Sequence, residues 1–390
     1  MKKGGGIRTC LAYICALLVF ILLFNFNTVQ ASDADLVYSY LNSNEGSTFA
    51  NLSDAEYFNG TSTSVAKKVT YYIGYFASEG RDDFQQWLDQ AGPYIPLIRE
   101  ILREEGVPED LALLPLIESG FNVNALSPKK ALGLWQFMAP TGELYGLKIN
   151  KLVDERKDPI KSTRAAARHL KDLYSEFGTW PLALASYNAG VGKVRRAIAG
   201  TGSSSFWKIG QSRALKTETK NYIPKFMAAL IISKNPEDFG FTFPEGITLK
   251  YAVLEVPGGI DLRTFAKVAD LSYSSLRVLN PEIKGPIIPL GEPYYLLRIP
   301  EGVSANFMEN FSKLSPSERV VYREHKVKKG DTIYEIAKRY STDVLTIRDV
   351  NNLKKRNKIV PGDTILVPAR LPFDVDYVKI VTSSVRPPDT

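Results

Sequence analysis

Seven positions of this chain recur at one fixed spacing. Leu262, Phe265, Ala266, Leu276, Arg277, Leu279 and Asn280 return 71 residues later as Ile333, Ile336, Ala337, Ile347, Arg348, Val350 and Asn351. Shared helical periodicity explains the apolar matches, but it does not demand that an arginine and an asparagine recur with them. The closing pair Ile299-Pro300 returns as Val367-Pro368, three residues out of that register, the offset that a difference in loop length produces. β-like runs, LKYAVLEV at 249–256 and YYLLRIP at 294–300, bracket helical text in the first copy. The repeat therefore predicts two small strand-helix-helix-strand units, over residues 248–301 and 324–369, followed by a tail over 370–390.

Upstream the text is helical from about Val69 to Ser233. Leu97, Ile101 and Leu102 recur at helical spacing before Gly106 and Pro108 mark a stop and a restart. In STRAAARHLKDLYSEFG, Ala166, Leu170, Leu173, Tyr174 and Phe177 form one stripe, with Ser162 placed to cap the start and Gly178 to end it. Residues 68–235 are thus expected to form an all-α domain, and the Ser-, Asn- and Gly-rich residues 32–67 a flexible lead. At 390 residues the chain is long enough for one main domain plus small modules, so the fold class is α+β multidomain.

Lys2, Lys3 and Arg8 precede an apolar run from Cys10 to Phe24, and Val29-Gln30-Ala31 offers a small-residue cleavage site. Residues 1–31 read as a signal peptide, which implies an exported, periplasmic or envelope-associated product, and a membrane partner only if the segment stays uncleaved. Cleavage would take the formal charge from +7 to about +4, since three of 49 basic residues and none of 42 acidic ones are lost. Both cysteines, Cys10 and Cys15, lie in that segment, so disulfides, thiolate nucleophiles and Cys-ligated zinc are excluded from the mature chain. Neither follows the Leu-x-small-Cys pattern of a lipid-anchor site.

Two histidines, His169 and His325, are too few and too far apart for a His triad or a multi-histidine metal centre. His169 falls in an amphipathic helix and reads as a surface or half-buried residue. GVGKV at 190–194 lacks the full spacing of a phosphate loop and reads as a helix-breaking turn. Lys354-Lys355-Arg356 is a single basic cluster in an exported chain, better read as a solvated loop than as a nucleic-acid site. No cofactor, metal or nucleic acid is expected, and carboxylate chemistry remains.

In LLPLIESGFNVNALSPKKALGLWQF (113–137) one acid, Glu118, ends an apolar run, and no second carboxylate follows until Glu143. Leu111 to Ser119 can form a short helix with Leu113, Leu114 and Ile117 buried and Gly120 as its stop. Spacing alone leaves two readings: a desolvated carboxyl whose raised pKa suits a general acid, or an exposed last-turn glutamate. Downstream, Ser127-Pro128 turns the chain and Trp135-Gln136-Phe137-Met138 supplies an amide and a thioether among aromatics. Sugar sites use such groups, although Trp135 and Phe137 serve equally as core.

The string ESGFNVNALSPKKALGLWQFMAPT, then ALASYNAGVGKVRRAI (183–198), then ETKNYIPK (218–225), resembles the lysozyme-like domain of the soluble-lytic-transglycosylase family. The second repeat copy resembles a LysM module. The first has Gly259-Ile260-Asp261 where that module has Gly330-Asp331-Thr332, and so resembles a diverged LysM unit.

The resemblance implies a lysozyme-like catalytic domain that cleaves the β-1,4 bond between N-acetylmuramic acid and N-acetylglucosamine in peptidoglycan strands, leaving 1,6-anhydromuramyl ends. Glu118 matches the family's acid/base position. Ser119, Ser127, Gln136, Met138, Tyr187, Asn188, Glu218 and Tyr222 match positions around the sugar, with Ser186 replacing the alanine that opens the family's A-Y-N-A-G segment. For the LysM module, Gly330, Asp331, Thr332, Ile359 and Pro361 match glycan-binding positions. The alternatives are a lysozyme-type hydrolase, which needs a second carboxylate that folding could recruit from Asp154, Asp158 or Glu218, and a non-catalytic wall-binding scaffold.

Overall fold

The computed structural model describes residues 55–244, 249–290, 294–301, 310, 313, 320–353, 358–370 and 379–382. The signal segment, most of the expected lead and Lys354-Lys355-Arg356 lie outside them. No helix among the described residues is long and apolar enough to cross a membrane.

The chain divides into two compact units: its residues up to Asn122 together with 163–247, and residues 123–162 together with those from 248 onward. In the first, helices α1 (Ala55–Ala77), α2 (Arg81–Ala91) and α3 (Ile95–Glu104) lead to a 3-10 turn, Glu109–Leu113, and a short α4 (Leu114–Ser119). The helix expected over 111–119 is thus two pieces, because Pro115 suits the first turn of a helix and not its interior. α1 also begins inside the stretch read as a flexible lead. Its Val65, Val69, Ile73 and Phe76 are buried at helical spacing, and packing against a later helix overrides a Ser/Thr-rich sequence of weak propensity.

After α5 (Ala139–Leu144), which belongs to the second unit, come α6 (Pro159–Phe177), α7 (Trp180–Ala189), α8 (Val191–Thr201), α9 (Phe206–Gln211) and α10 (Thr217–Lys234). α7 and α10 are buried on nearly all sides and pack together, with α1 also laid on α10. α6 starts three residues before the expected Ser162 cap. Asp158 caps it instead, accepting from the Ile160 and Lys161 amides at 2.9 and 3.0 Å, while Ser162 Oγ donates to the Asp158 carbonyl. Ala166, Leu170 and Leu173 are buried as expected, whereas Tyr174 is 40% exposed and stacks on Trp180. In GVGKV only Gly190, at φ +89°, breaks the helix, and Val191 opens α8.

The second unit holds both repeat copies. β1 (Ala252–Val256), α11 (Leu262–Val268), α12 (Tyr273–Leu279) and β2 (Tyr295–Ile299) form the first; β3 (Val320–Lys326), α13 (Ile333–Arg339), α14 (Val344–Val350) and β4 (Thr364–Arg370) form the second. Each pairs its strands antiparallel, Ala252 with Ile299 through Val256 with Tyr295, and Val320 with Arg370 through Lys326 with Thr364. Each has its own core, centred on Phe265 and Leu276 in one and on Ile336 and Ile347 in the other. The stretch read as a featureless tail contributes β5 (Lys379–Thr382), which pairs with the free edge of β1.

The repeat extends to hydrogen bonds. Asn280 Nδ2 donates to the Leu276 and Arg298 carbonyls, and its Oδ1 accepts from the Arg298 amide. Asn351 makes the same three bonds with Ile347 and Leu366. The asparagine satisfies the end of the second helix and the last strand together, which is why it recurs with the apolar positions.

By its contacts segment 123–162 groups with these modules and not with the helices that flank it in sequence. Val153 bridges Ile283, and the Asp154 and Lys284 amides donate to the Glu282 and Leu152 carbonyls. These are pairings of residues more than a hundred positions apart that no local pattern announces.

Asn351→Ala strands two backbone groups of Leu366 and should destabilise the second module by about 2 to 3 kcal/mol. All four tryptophans precede residue 208, so the check is amide hydrogen exchange over 320–370, where protection should fall while α7 and α10 keep theirs.

Candidate active site

Glu118 is the penultimate residue of α4. Gly120 ends that helix in the left-handed region at φ +59°, and a Cβ there would lie 2.4 Å from Trp87 Cδ1. Glycine is required on both counts, and the close approach brings the Trp87 indole of α2 beside the end of α4. Trp87 belongs to an aromatic cluster with Phe76 and Phe84, which stack at 4.4 Å.

α10 supplies the other wall. Glu218, Tyr222 and Lys225 stand at i−4, i and i+3, one face of a helix. The Tyr222 hydroxyl donates to Glu118 Oε1. Lys225, half-buried, holds its ammonium 5.8 Å from the Trp87 ring centre.

These surroundings set the acid's proton affinity. The Glu118 residue is half-buried and within reach of water, yet its carboxyl is enclosed closely enough to raise its pKa from 4.5 to about 7. Burial is the largest cause; the Tyr222 hydrogen bond and the Lys225 charge oppose it, and the Glu218 charge adds to it. Near neutrality the group is divided between acid and base, the state that proton transfer in both directions needs. Glu218 itself is exposed, so its effect on Glu118 is through space and screened by water.

Tyr187 on α7 is half-buried, and its phenol is pushed well above the ordinary tyrosine value by burial and then by the Glu118 charge. It is a neutral donor or acceptor at every physiological pH. His169 lies 5.1 Å from it ring to ring, half-buried as the sequence suggested, and burial lowers its pKa to about 4. Asn188 Oδ1 accepts from Thr219 Oγ1 at 2.9 Å, tying α7 to α10, and Ser119 Oγ donates to the Pro115 carbonyl at 3.3 Å. Glu118, Ser119, Tyr187, Asn188, Glu218 and Tyr222 therefore share the first unit. Trp87 and Lys225 were missed: Lys225 stands in ETKNYIPK but nothing in the string distinguishes it from a surface lysine, and Trp87 carries no motif.

Ser127, Gln136 and Met138 belong to the second unit. Ser127 Oγ accepts from the Ala131 amide at 3.0 Å within its turn. Gln136, at φ +48°, donates through Nε2 to the Ala125 and Gly133 carbonyls at 3.1 and 2.8 Å, so its amide nitrogen is committed to the loop. Met138 is 42% exposed. Asp154 pairs with Arg156 and Asp158 with Arg298, which commits two of the three acids considered as second carboxylates to ion pairs inside this unit.

In the second module the Asp331 carboxylate accepts from the Lys328 amide and His325 Nε2 and pairs with Arg339, which hold its pKa down to about 2. Thr332 caps α13 in a reciprocal box with Glu335, and Ile359 packs partly on the module core. Gly330, at φ +93°, and Pro361 are exposed in the two neighbouring turns. The side chains of Asp331 and Thr332 build their loop, leaving exposed backbone and apolar edges as its free surface.

Residues 96–209 match the transglycosylase SLT domain, residues 251–315 the LysM-like domain of lytic transglycosylase MltD, and residues 325–368 the LysM domain. Over 298 residues the chain is 30% identical to the membrane-bound lytic murein transglycosylase D of Escherichia coli (strain K12), an alignment covering 72% of this chain and 64% of that protein. The chain thus spans less than two thirds of that relative's length. A putative tributyltin chloride resistance protein of Alteromonas sp. (strain M-1) is 35% identical over 151 residues, 38% of this chain and 73% of that one. Among solved structures, the 70 kDa soluble lytic transglycosylase of Escherichia coli aligns at 20% identity with a TM-score of 0.36, covering 57% of this chain and 35% of that one.

Lys225→Met removes a cation that favours ionised Glu118, so the Glu118 pKa should rise by about 0.5 to 1, read by NMR titration of the side chain. The raised pKa also carries a sign for stability: ionising Glu118 penalises the folded state as pH rises from 4.5 toward 7 and above. Glu118→Gln lacks that penalty and should gain about 2 to 3 kcal/mol over wild type between pH 4 and pH 8, read by urea unfolding at both.

Proposed function

We propose that this chain, whose residues 96–209 match the transglycosylase SLT domain and which carries LysM-type modules behind them, is a lytic transglycosylase of peptidoglycan. The observation that carries the reading is the enclosed Glu118 carboxyl with its pKa near 7, bonded to Tyr222. Tyr222 donates to Oε1, so the proton of the acid form resides on Oε2, free to be given away.

Glu118 protonates the glycosidic oxygen between N-acetylmuramic acid and N-acetylglucosamine, and the C1–O bond breaks. The same carboxylate, now ionised, takes the proton of the muramyl C6 hydroxyl as that oxygen bonds to C1, leaving a 1,6-anhydro end and consuming no water. Between the two steps the positive charge at C1 is met by the sugar's own acetamido group, as in substrate-assisted glycosidases. Tyr187 and Asn188 serve as neutral polar contacts to the sugar, and Ser119, Ser127, Gln136 and Met138 complete the family's binding positions. The second module raises the local concentration of glycan around the domain through Gly330, Asp331, Thr332, Ile359 and Pro361. An N-terminal export signal would place this chemistry in the cell envelope.

One observation favours a second reading. The Glu218 charge reaches Glu118, and a second carboxylate is what a lysozyme-type hydrolase requires.

Mass spectrometry of digested peptidoglycan separates the two. Anhydromuramyl products, about 18 mass units lighter than hydrolytic ones, are expected, and muramyl ends with a free reducing sugar would establish the hydrolase. Glu118→Gln should lower turnover at least about 100-fold while wall binding persists. Undiminished turnover would remove Glu118 from the chemistry, and no turnover in wild type would leave a wall-binding scaffold.

A further inference from the structure

The two repeat copies differ in charge where the first is buried against segment 123–162. In the register fixed by Asn280 and Asn351, Arg298 occupies the position of Leu366, and Glu282 follows Asn280 by two as Leu353 follows Asn351. Two apolar positions of the module have become a cation and an anion, both buried.

Their partner is outside the module. Arg298 Nη2 lies 2.9 Å from Asp158 Oδ2 and 2.8 Å from Glu282 Oε2, and Arg298 Nε donates to the Leu279 carbonyl. Tyr295, also in the first module, donates its hydroxyl to Glu282 Oε1 at 2.8 Å. The Asp158 carboxyl, opposed by burial but won over by Arg298 and Lys161, is held below the ordinary aspartate range, so the pair is charged. The contact continues along the segment through the Val153–Ile283 bridge and the two backbone bonds to Glu282 and Leu152.

From there it reaches the loop of Gln136. Arg156 pairs with Asp154 through two nitrogens and donates through Nη1 to the Lys130 and Phe137 carbonyls at 3.0 and 3.1 Å. The Arg156 carbonyl presses on Gly133, where a Cβ would meet it at 1.9 Å. Residues 130 to 137 are therefore fixed by a chain of contacts whose far end is Arg298.

We propose that the first module is an internal clamp, holding residues 123–162, and with them Ser127, Gln136 and Met138, in one conformation through Arg298, Glu282 and Asp158. Arg298 is a positioning residue for the substrate-binding segment. That last step rests on the proposed function; the clamp itself does not.

The test uses the full chain carrying Arg298→Leu, the residue its own repeat supplies. Amide exchange over 125–158 should rise by about tenfold or more while α7 and α10 are unmoved. Turnover of peptidoglycan should fall about tenfold in kcat/KM, mainly through KM, with binding to insoluble wall within about twofold of wild type and partial rescue by Arg298→Lys. Faster exchange confined to 249–301 would overturn the clamp, and so would a loss of wall binding that matches the loss of turnover, since the module would then be holding glycan. If Arg298→Leu fails to fold, Asp158→Asn leaves Arg298 paired with Glu282, and the same exchange pattern is expected in smaller degree; unchanged exchange over 125–158 overturns the proposal. Wild type without activity on peptidoglycan would refute the proposed function and leave the exchange result to decide the clamp.

Discussion

A carboxyl taken out of water must be neutralised, paired or hydrogen-bonded, and the fold answers that demand differently in its two units. Around Glu118 it supplies one hydroxyl and the charge of Lys225, too little to offset burial, and the group loses its proton only around neutrality. Around Asp158 it supplies a guanidinium and two amides, and the group is a committed anion. The same chemical group is left able to exchange a proton in one place and is held as a paired anion in the other. What separates them is the number of donors that neighbouring elements bring within reach.

The helices of the first unit are arranged to keep that number low. α10 is buried along most of its length from Tyr222 to Ser233, and Glu218, Tyr222 and Lys225 share one of its faces. α4 is stopped one residue after Ser119 by a glycine that nothing larger can replace against Trp87. An extra turn of helix would carry the chain past Tyr222 and alter which donors Glu118 meets. Backbone geometry at Gly120 is thus part of the acid's environment, although Gly120 has no side chain to offer.

Much of this was legible in the sequence, and the reasons are local. The repeat was visible because each copy must bury the same stripe and satisfy the same helix end, which forces Leu276 and Asn280 to recur as Ile347 and Asn351. Glu118 stood out because an acid beside Leu113, Leu114 and Leu116 violates the pattern of its own helix. What escaped depends on distance along the chain. Lys225 looks like any surface lysine until α10 is laid beside α2 and α4, and Arg298 within a strand looks like an outward-facing residue until Asp158 is brought to it. The helical start at Ala55 was hidden by a polar composition that packing outweighs, and β5 by four residues too few to show a period. The attachment of segment 123–162 to residues past 280 has no local signal either, since it rests on the Asp158–Arg298 ion pair and the Val153–Ile283 bridge.

The strand β5 bears on how the second module is held. β1 lies between β2 and β5 in one sheet, and the whole β3-to-β4 module is strung between β2 and β5 along the chain. It is an insertion with both ends returned to the same sheet, not a bead on a single thread. The second module also pairs directly with the first, the Tyr322 amide donating to the Gly259 carbonyl and Val321 bridging Ile260, so it is fastened at its first strand as well as through the chain on either side. Cutting the chain between β4 and β5 would therefore expose one edge of β1 and leave the module held through its first strand and the chain that follows β2.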